Sequence, residues 1–299
     1  MDTKEILKKV RSIEIKTKGL SNHIFAGEYN TAFKGRGMTF SEVREYEIGD
    51  DLRTIDWNVT ARYNSPFVKV FEEEREITLM LMVDVSSSSS FGTSKRFKRE
   101  LVSEISAVLA FSAIKNNDKV GVIFFSDKIE KFISPSKGKK HILRIIKEIL
   151  TFESTSKKTN IKKALEYFNR VTKKRSICFL LSDFFDSDFF EPVKLSAKRH
   201  DLVAVNTLDS RELEIPNVGL LSLQDSEEDN EILVDSSDRK FRRNFKNKQL
   251  SRLETLKKEL SLCGADYIQL LTQEDIISPL INFFKNRKKW FLDYYSCLC

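Results

Sequence analysis

Several features that would assign a function class directly are missing from this 299-residue sequence. No apolar run approaches the ~18 residues that a membrane-spanning helix needs, and residues 1–19 lack the apolar core of a signal peptide. The cysteines show no zinc-ligand spacing, and only three histidines could assist them. These absences predict a protein of the reducing cytoplasm that has no transmembrane segment.

Signatures of nucleotide and nucleic-acid binding are also missing. Gly35 and Gly37 are not followed by a third glycine and do not follow a buried strand, so a phosphate-binding loop is not predicted. The net charge of +7 is scattered along the chain and is not accompanied by a recognition motif. We therefore expect a solvated surface and no nucleic-acid partner; binding through the scattered lysines stays an alternative, and it predicts a steep salt dependence.

The sequence does contain an almost wholly apolar run, Ile77 to Val83, which ends abruptly at Asp84. Such a run is typical of a strand that is buried on both faces of a parallel sheet. Further strands are predicted at 119–125, 129–133, 176–182, 202–207 and 266–271, with a hairpin formed by 218–223 and 231–235. Helices are predicted at 2–18, 95–115, 139–151, 160–171, 190–199, 239–262 and 273–284.

This alternation predicts an α/β fold with a doubly wound, mostly parallel sheet that helices cover on both faces. We assign residues 1–75 to an N-terminal arm, residues 76–288 to the main domain, and residues 289–299 to a tail without a predicted role. Residues 67–75 are expected to form an edge strand or a connector between the arm and the main domain.

The arm mixes charged and large apolar side chains between residues 40 and 62. Arginine–carboxylate pairs have a fixed geometry, so this pattern favours an arm that is docked on the main domain around an aromatic anchor. A catalytic acid pair, Asp50 and Asp56, is the alternative, but the segment offers no partner nucleophile. The predicted docking residues are Arg44, Asp50, Asp51, Arg53, Asp56 and Trp57, with Arg53 and Trp57 holding the arm in place.

Polar side chains are expected to meet at the carboxyl ends of the strands, where open α/β sheets bind ligands. Asp84 and Asp183 each follow a buried strand, and Thr159 introduces a helix between them. Ser86 and Ser88 lie two residues apart in a loop that we expect to be extended, so their hydroxyls should point the same way. Carboxylate and hydroxyl oxygens suit Mg²⁺ or Mn²⁺ better than zinc or copper. These residues therefore form a candidate metal site.

Other chemistries fit these residues less well. Phosphatases of the haloacid-dehalogenase type need a second acid two residues after the first, and here that position is Ser86. A serine hydrolase needs a histidine near the strand ends, and neither His141 nor His200 is expected there. We thus predict a non-enzymatic protein. A metal-dependent hydrolase is the alternative, and Asp186 is its nearby candidate for a general base.

Two local interpretations of the site remain open. Asp186 and Asp188 could replace a metal ligand or could cap a helix. The serine run could instead form a turn and cap the helix that follows Gly92.

The candidate site resembles that of a known family. Asp84-Xaa-Ser86-Xaa-Ser88 with Thr159 and Asp183 is similar to the metal-ion-dependent adhesion site of von Willebrand factor type A domains. The segment from Gly35 to Arg62, with Gly49-Asp-Asp-Xaa-Arg53-Xaa-Ile-Asp-Trp57, resembles the signature of the bacterial domain-of-unknown-function family 58. That family joins such an arm to a type A-like domain, and the resemblance covers nearly the whole chain up to about residue 285.

The resemblance implies a protein-interaction module. Its Mg²⁺ or Mn²⁺ would be held by Asp84, Ser86, Ser88, Thr159 and Asp183, with an open position for an acidic side chain of the partner. Family members are commonly associated with MoxR-type AAA+ ATPases and are thought to act with them in assembly or maturation of other proteins. The implied partner is therefore a MoxR-type ATPase, a membrane-associated type A-domain protein, or both.

Overall fold

In the computed structural model, the described residues are 12, 38–63, 65–73, 77–92, 97–224 and 231–296. The strands are β1 (Met38–Glu45), β2 (Phe67–Glu73), β3 (Thr78–Asp84), β4 (Lys119–Phe125), β5 (Ile129–Ser136), β6 (Ile177–Ser182), β7 (Asp201–Leu208), β8 (Leu220–Gln224), β9 (Glu231–Asp235) and β10 (Asp266–Leu271). The helices are α1 (Trp57–Tyr63), α2 (Lys98–Lys115), α3 (Lys139–Thr151), α4 (Ile161–Val171), α5 (Phe190–Arg199), α6 (Ser210–Leu213), α7 (Arg239–Leu262) and α8 (Ile277–Ser296). The helix predicted for residues 2–18 lies outside the described ranges, except at position 12.

The central sheet has six strands in the order β10-β7-β6-β3-β4-β5. Neighbouring strands run parallel, apart from the antiparallel pair β4 and β5. The chain moves outward from β3 to β4 and β5, and it then returns to place β6 on the other side of β3. The sheet is therefore doubly wound, as predicted, and its topological switch point lies between β3 and β6.

Successive residues of β3 enter opposite layers of the core because side chains alternate along a strand. Leu79, Leu81 and Val83 pack in the layer that contains α2, α3 and α8. Met80 and Met82 pack in the layer that contains α4, α5 and α7. Burial on both faces explains why this strand reads as a nearly continuous apolar run.

The arm contains its own small sheet, in which β1 pairs antiparallel with β2. The predicted arginine–carboxylate pairing is present but lies within the arm. Arg44 donates two hydrogen bonds to Asp50, at 2.9 and 2.7 Å, and Asp56 pairs with Lys69 at 3.4 Å. Gly49, with a φ of 114°, makes the turn that brings Arg44 and Asp50 together.

The remaining arm residues do not behave as buried anchors. Trp57 is 70% exposed, whereas a ring that anchors an interface loses most of its accessible surface. Arg53 is also exposed, and its backbone N–H donates to the side chain of Asp51 at 2.9 Å. Docking of the arm on the main domain therefore stays a prediction.

The last helix is longer than predicted. It was expected to end at Phe284, but α8 continues to Ser296 and includes most of the expected tail. Arg287, one turn beyond Phe284, is 8% exposed and forms ion pairs with Asp201 and, at 2.8 Å, with Asp266. These aspartates begin β7 and β10, so the arginine fastens the helix to the amino ends of two strands.

Replacing Arg287 by methionine is expected to destabilise the protein by about 2–3 kcal/mol, because Asp201 would stay buried without its cation. Urea unfolding followed by circular dichroism measures this loss. Lys285→Met is the matched control, since Lys285 is exposed on the same helix. Equal stabilities of the two variants would contradict a fastening role for Arg287.

Candidate functional site

Asp84 and Asp183 flank the topological switch point. Asp84 is the last residue of β3, and Asp183 directly follows β6, the neighbouring parallel strand. Both are buried, with 6% and 4% of their surfaces exposed. Asp84 accepts the backbone N–H of Ser86 at 3.0 Å on one oxygen and the hydroxyl of Ser182 at 2.7 Å on the other. The structure thus brings the two predicted carboxylates together.

The environment of Asp84 disfavours its charged form. Burial raises the pKa of Asp84 to about 7, and the neighbouring charge of Asp183 adds to the effect. The hydrogen bonds from Ser182 and Ser86 oppose this shift but do not overcome it. A cation placed between the two carboxylates would relieve their repulsion.

The serine run forms a 3₁₀ turn, Ser87–Ser90, and not the extended loop that we predicted. The hydroxyl oxygens of Ser86 and Ser88 nevertheless lie 3.1 Å apart, so they face the same point. A cap for the following helix is not their role, because the residue that precedes α2 is Phe97. Ser86 is 1% exposed, which means that its hydroxyl is directed into the molecule.

Thr159 lies in the loop before α4 but does not begin that helix. Asn160 caps α4 by accepting the backbone N–H of Lys163 at 2.8 Å, which corrects the predicted helix start. The loop contacts both neighbouring strand ends, since the carbonyl of Lys157 accepts the N–H of Ser87 at 3.3 Å and Asn160 donates to the carbonyl of Ser126 at 2.9 Å. Thr159 is half-buried on this loop beside the serine turn.

The site also contains a cation that the sequence did not point to. Lys98, the first residue of α2, is 2% exposed, and its ammonium lies 3.0 Å from Asp183 and 2.5 Å from Glu212. Burial lowers the pKa of Lys98, but the charges of Asp183 and Glu212 outweigh burial and raise it above its ordinary value. Asp209 and Glu212 form a capping box on α6, which holds Glu212 in place.

The two aspartates that follow Asp183 closely, Asp186 and Asp188, differ in their surroundings. Asp186 accepts the backbone N–H of Ile161 at 2.7 Å and that of Ser187 at 2.7 Å, so it caps α4 from across the site. This supports the capping interpretation of Asp186. Asp188 is exposed and adopts a φ of 59°.

His141 and His200 lie at the opposite edge of the sheet from the site. His141 contacts the carbonyl of Val120 at 2.8 Å, near the beginning of β4. His200 directly precedes β7 and contacts the hydroxyl of Ser176 at 3.1 Å. Burial lowers the pKa of His200 to about 4. Neither histidine can therefore serve the carboxylates at the strand ends.

The oxygen atoms at the carboxyl edge fit a small divalent cation. Two carboxylates repel each other there, and two serine hydroxyls share one side of the site. Within the described ranges, no three His, Cys, Asp or Glu side chains form a metal-binding group. A cation at this edge would therefore depend on hydroxyls and water as well as carboxylates, which suits Mg²⁺ or Mn²⁺.

Sequence comparison places the chain among known proteins. The family model described as "Protein of unknown function DUF58" matches residues 42–254, which is more than half of the chain. The chain belongs to this family. The resemblance of the arm signature to domain-of-unknown-function family 58 is thereby confirmed.

This DUF58 protein is 26% identical over 292 residues to the uncharacterized protein Rv1480 of Mycobacterium tuberculosis, covering 97% of this chain and 92% of Rv1480. It is 29% identical over 110 residues to the uncharacterized protein YeaD of Bacillus subtilis, covering 36% of this chain and 25% of YeaD.

Solved structures similar to this DUF58 protein include BatB from Bacteroides thetaiotaomicron, with a TM-score of 0.47, 15% identity, and coverage of 71% of this chain and 99% of BatB. They also include the SpRpn10 VWA domain, with a TM-score of 0.39, 9% identity, and coverage of 69% of this chain and 94% of that domain. Both TM-scores are below 0.5, and the doubly wound fold is established by the sheet order of this chain itself. No helix in the described ranges has the length and apolarity to cross a membrane.

Proposed function

We propose that this DUF58 protein is a non-enzymatic protein-interaction module that docks an acidic side chain of its partner through a divalent metal ion. The observation that carries the proposal is the buried pair Asp84 and Asp183 beside the adjacent hydroxyls of Ser86 and Ser88. Hard oxygen ligands of this kind favour Mg²⁺ or Mn²⁺. The family resemblance supports the same conclusion, because type A domains bind their partners at such sites.

Asp84, Ser86, Ser88, Thr159 and Asp183 would hold the ion. When bound, the metal supplies an electrophilic position for a carboxylate of the partner. The serine and threonine oxygens bring no charge, so they would leave the ion attractive to an anion. Asp84 supplies negative charge when it is ionised, and Ser182 orients it by donating a hydrogen bond at 2.7 Å. Lys98 balances Asp183 at 3.0 Å, which would limit how much negative charge surrounds the ion.

The proposed partner is a MoxR-type AAA+ ATPase, with which the protein would act in the assembly or maturation of other proteins. The support for this partner is the family membership. The proposal places the interaction in the cytoplasm, where such an ATPase finds ATP. A membrane-associated type A-domain protein is a further proposed partner.

Asp84→Ala is expected to weaken Mg²⁺ or Mn²⁺ binding by at least about tenfold, because a carboxylate ligand is lost. Isothermal titration at pH 8 measures the affinity of both proteins, since the wild-type carboxyl is then mostly ionised. Asp188→Ala is the matched control, because Asp188 is an exposed aspartate in the loop that follows Asp183. Equal affinities of wild type and Asp84→Ala would remove Asp84 from the site.

Partner binding is tested with the purified MoxR-type ATPase at one constant Mg²⁺ concentration, because a chelator would also strip metal from the ATPase. We expect wild type and Asp188→Ala to bind the ATPase, and Asp84→Ala to bind it at least about tenfold more weakly. Binding that is unaffected by Asp84→Ala would leave an interaction module but would exclude docking through the metal.

A further inference from the structure

An open groove lies beside the carboxyl edge, between the loop that follows β6 and one face of α7. Its volume is about 750 Å³, and the α7 residues that line it include Lys248, Arg252 and Leu256, which recur at helical spacing. The loop contributes Phe185, which is 45% exposed, and Phe190 at the start of α5 also lines the groove. The groove thus combines aromatic surface with basic side chains.

Arg252 is the central polar group of the groove. Its guanidinium lies 3.5 Å from the ring centroid of Phe185, and it donates to the carbonyl of Phe184 at 3.3 Å. Among the described residues, its buried Nε–H has no hydrogen-bond acceptor, and no carboxylate lies within ion-pair distance of it. Burial lowers the pKa of Arg252, while the more distant charges of Asp183 and Glu212 oppose this shift. The arginine therefore remains partly desolvated without an anionic partner of its own.

The loop that carries the aromatic side chains is held in an uncommon backbone conformation. Phe184 and Asp188 have φ values of 54° and 59°, in a region that non-glycine residues seldom adopt. Phe184 and Phe189 are buried, and Asp186 ties the loop to the first N–H of α4. These contacts fix the loop, so Phe185 is presented at the surface without first having to be ordered.

The charge along α7 complements an anionic partner. Acidic residues are absent from its segment 239–252, which carries Arg239, Lys240, Arg242, Arg243, Lys246, Lys248 and Arg252. Arg242 and Lys246 have partners within the protein, whereas Lys248 is exposed at the groove. The described residues that line the groove include one acid, Asp186, which accepts two backbone N–H groups, against the two cations Lys248 and Arg252.

We propose that this groove binds an acidic segment of a partner protein, whose carboxylate pairs with Arg252 and Lys248 while a neighbouring apolar side chain packs on Phe185 and Phe190. Arginine that is stacked on an aromatic ring keeps its N–H groups in the ring-parallel plane for a carboxylate. An open groove also suits a peptide better than a small molecule, which would leave much of its surface in water. The site needs no metal and goes beyond the proposed function.

A random peptide library displayed on phage tests the proposal. Selection on the wild-type protein in the presence of EDTA is expected to enrich peptides that carry Asp or Glu beside Phe, Trp, Leu or Ile. EDTA separates this outcome from the proposed metal site, because failure of either site leaves the other result intact. No enrichment, or enrichment of peptides without an acidic residue, overturns the proposal.

Variants then locate the binding. The affinity of an enriched peptide, measured by fluorescence anisotropy, is expected to fall at least about tenfold in Lys248→Glu and in Arg252→Gln. Lys258→Glu is the matched control, because Lys258 is an exposed lysine of α7 that does not line the groove. Lys248 is exposed, so its substitution keeps the test valid even where Arg252→Gln does not fold. Equal affinities of Lys248→Glu and Lys258→Glu overturn the proposal.

Two other occupants are excluded in the same series. Competition of the peptide by a single-stranded oligonucleotide, with loss of that binding in Lys248→Glu, would assign the groove to nucleic acid and overturn the proposal. A wild-type dimer in sedimentation velocity that Lys248→Glu dissociates would assign it to a second copy of this chain, with the same consequence. We expect neither result.

Discussion

Replacing Lys98 by methionine is expected to destabilise the protein by about 3–5 kcal/mol, because Asp183 and Glu212 would remain buried without their cation. The ammonium lies 3.0 Å from Asp183 and 2.5 Å from Glu212, and Lys98 is 2% exposed. Methionine keeps most of the side-chain volume, so the loss reports the charge more than a cavity. Urea unfolding in EDTA measures it, with EDTA preventing a metal ion from taking over the role of the ammonium.

A second substitution separates charge from packing. Asp183→Asn in the Lys98→Met background removes the unpaired carboxylate, so the double variant is expected to be at least about 1 kcal/mol more stable than additivity predicts. Lys194→Met is the control for loss of a lysine from a surface ion pair. Lys194 is half-exposed, and its ammonium lies 3.9 Å from Glu191. Strict additivity of Lys98→Met and Asp183→Asn would mean that the ion pair does not stabilise the site.

The position of Lys98 in the site could not be predicted from the sequence, whereas the sheet could. Apolar segments such as 119–125 predicted the strands of the sheet, since strands that are buried on both faces need nearly continuous apolar residues. The polar residues directly after these segments then predicted the site at the carboxyl edge. Lys98 gave no such signal, because its partners lie 85 and 114 residues away along the chain. A lysine at the first position of a helix does oppose the helix dipole, and that local conflict was the available hint.

In the arm, the sequence predicted that ion pairs form but not which residues form them. Charge pattern predicted that arginines and carboxylates would pair, and Arg44 does pair with Asp50. Composition alone cannot distinguish a pair within a turn from a pair across an interface. Here the pair lies within a turn, because Gly49, with a φ of 114°, brings Arg44 and Asp50 together. Trp57 is 70% exposed, and its role in docking the arm stays a prediction.

The sequence predicts too early an end for the C-terminal helix, because composition does not reveal its tertiary contacts. Residues 285–296 are rich in lysine and aromatic side chains and resemble a frayed tail. Tertiary contacts override that composition, because Arg287 reaches the aspartates at the starts of β7 and β10.

Asp84→Asn is expected to stabilise the metal-free protein at pH 8 while removing a metal ligand. The folded state holds the pKa of Asp84 at about 7, above its ordinary value of 3.8. Folded protein therefore retains a proton between about pH 4 and pH 7 that the unfolded chain has released. The contribution of Asp84 to stability is complete below about pH 4 and is lost as the pH rises to 7. At about 1.4 kcal/mol per pKa unit, the loss is on the order of 4 kcal/mol, and asparagine avoids it.

The comparison must be made between the two proteins, because His200 acts in the opposite direction. Burial lowers the pKa of His200 to about 4, so its contribution to stability is lost as the pH falls from about 6.5. Both proteins contain His200, and its effect cancels in their difference. We expect the difference in unfolding free energy, Asp84→Asn minus wild type, to increase between pH 4 and pH 7 and to level off above it. Asp188→Asn is the control, expected to stay within about 0.5 kcal/mol of wild type at each pH.

Adding Mg²⁺ should reduce the difference in stability between Asp84→Asn and wild type. An ion that binds only the folded state stabilises it by about 2.7 kcal/mol at a concentration one hundred times its dissociation constant. Wild type should gain this stability at pH 8, whereas Asp84→Asn should gain much less, so the two proteins should become more nearly equal. Burial disfavours the charged form of Asp84 in the metal-free protein, so a bound cation that stabilises this charged form should gain from it. If Mg²⁺ stabilised both proteins equally, Asp84 would be a strained residue without a role in metal binding.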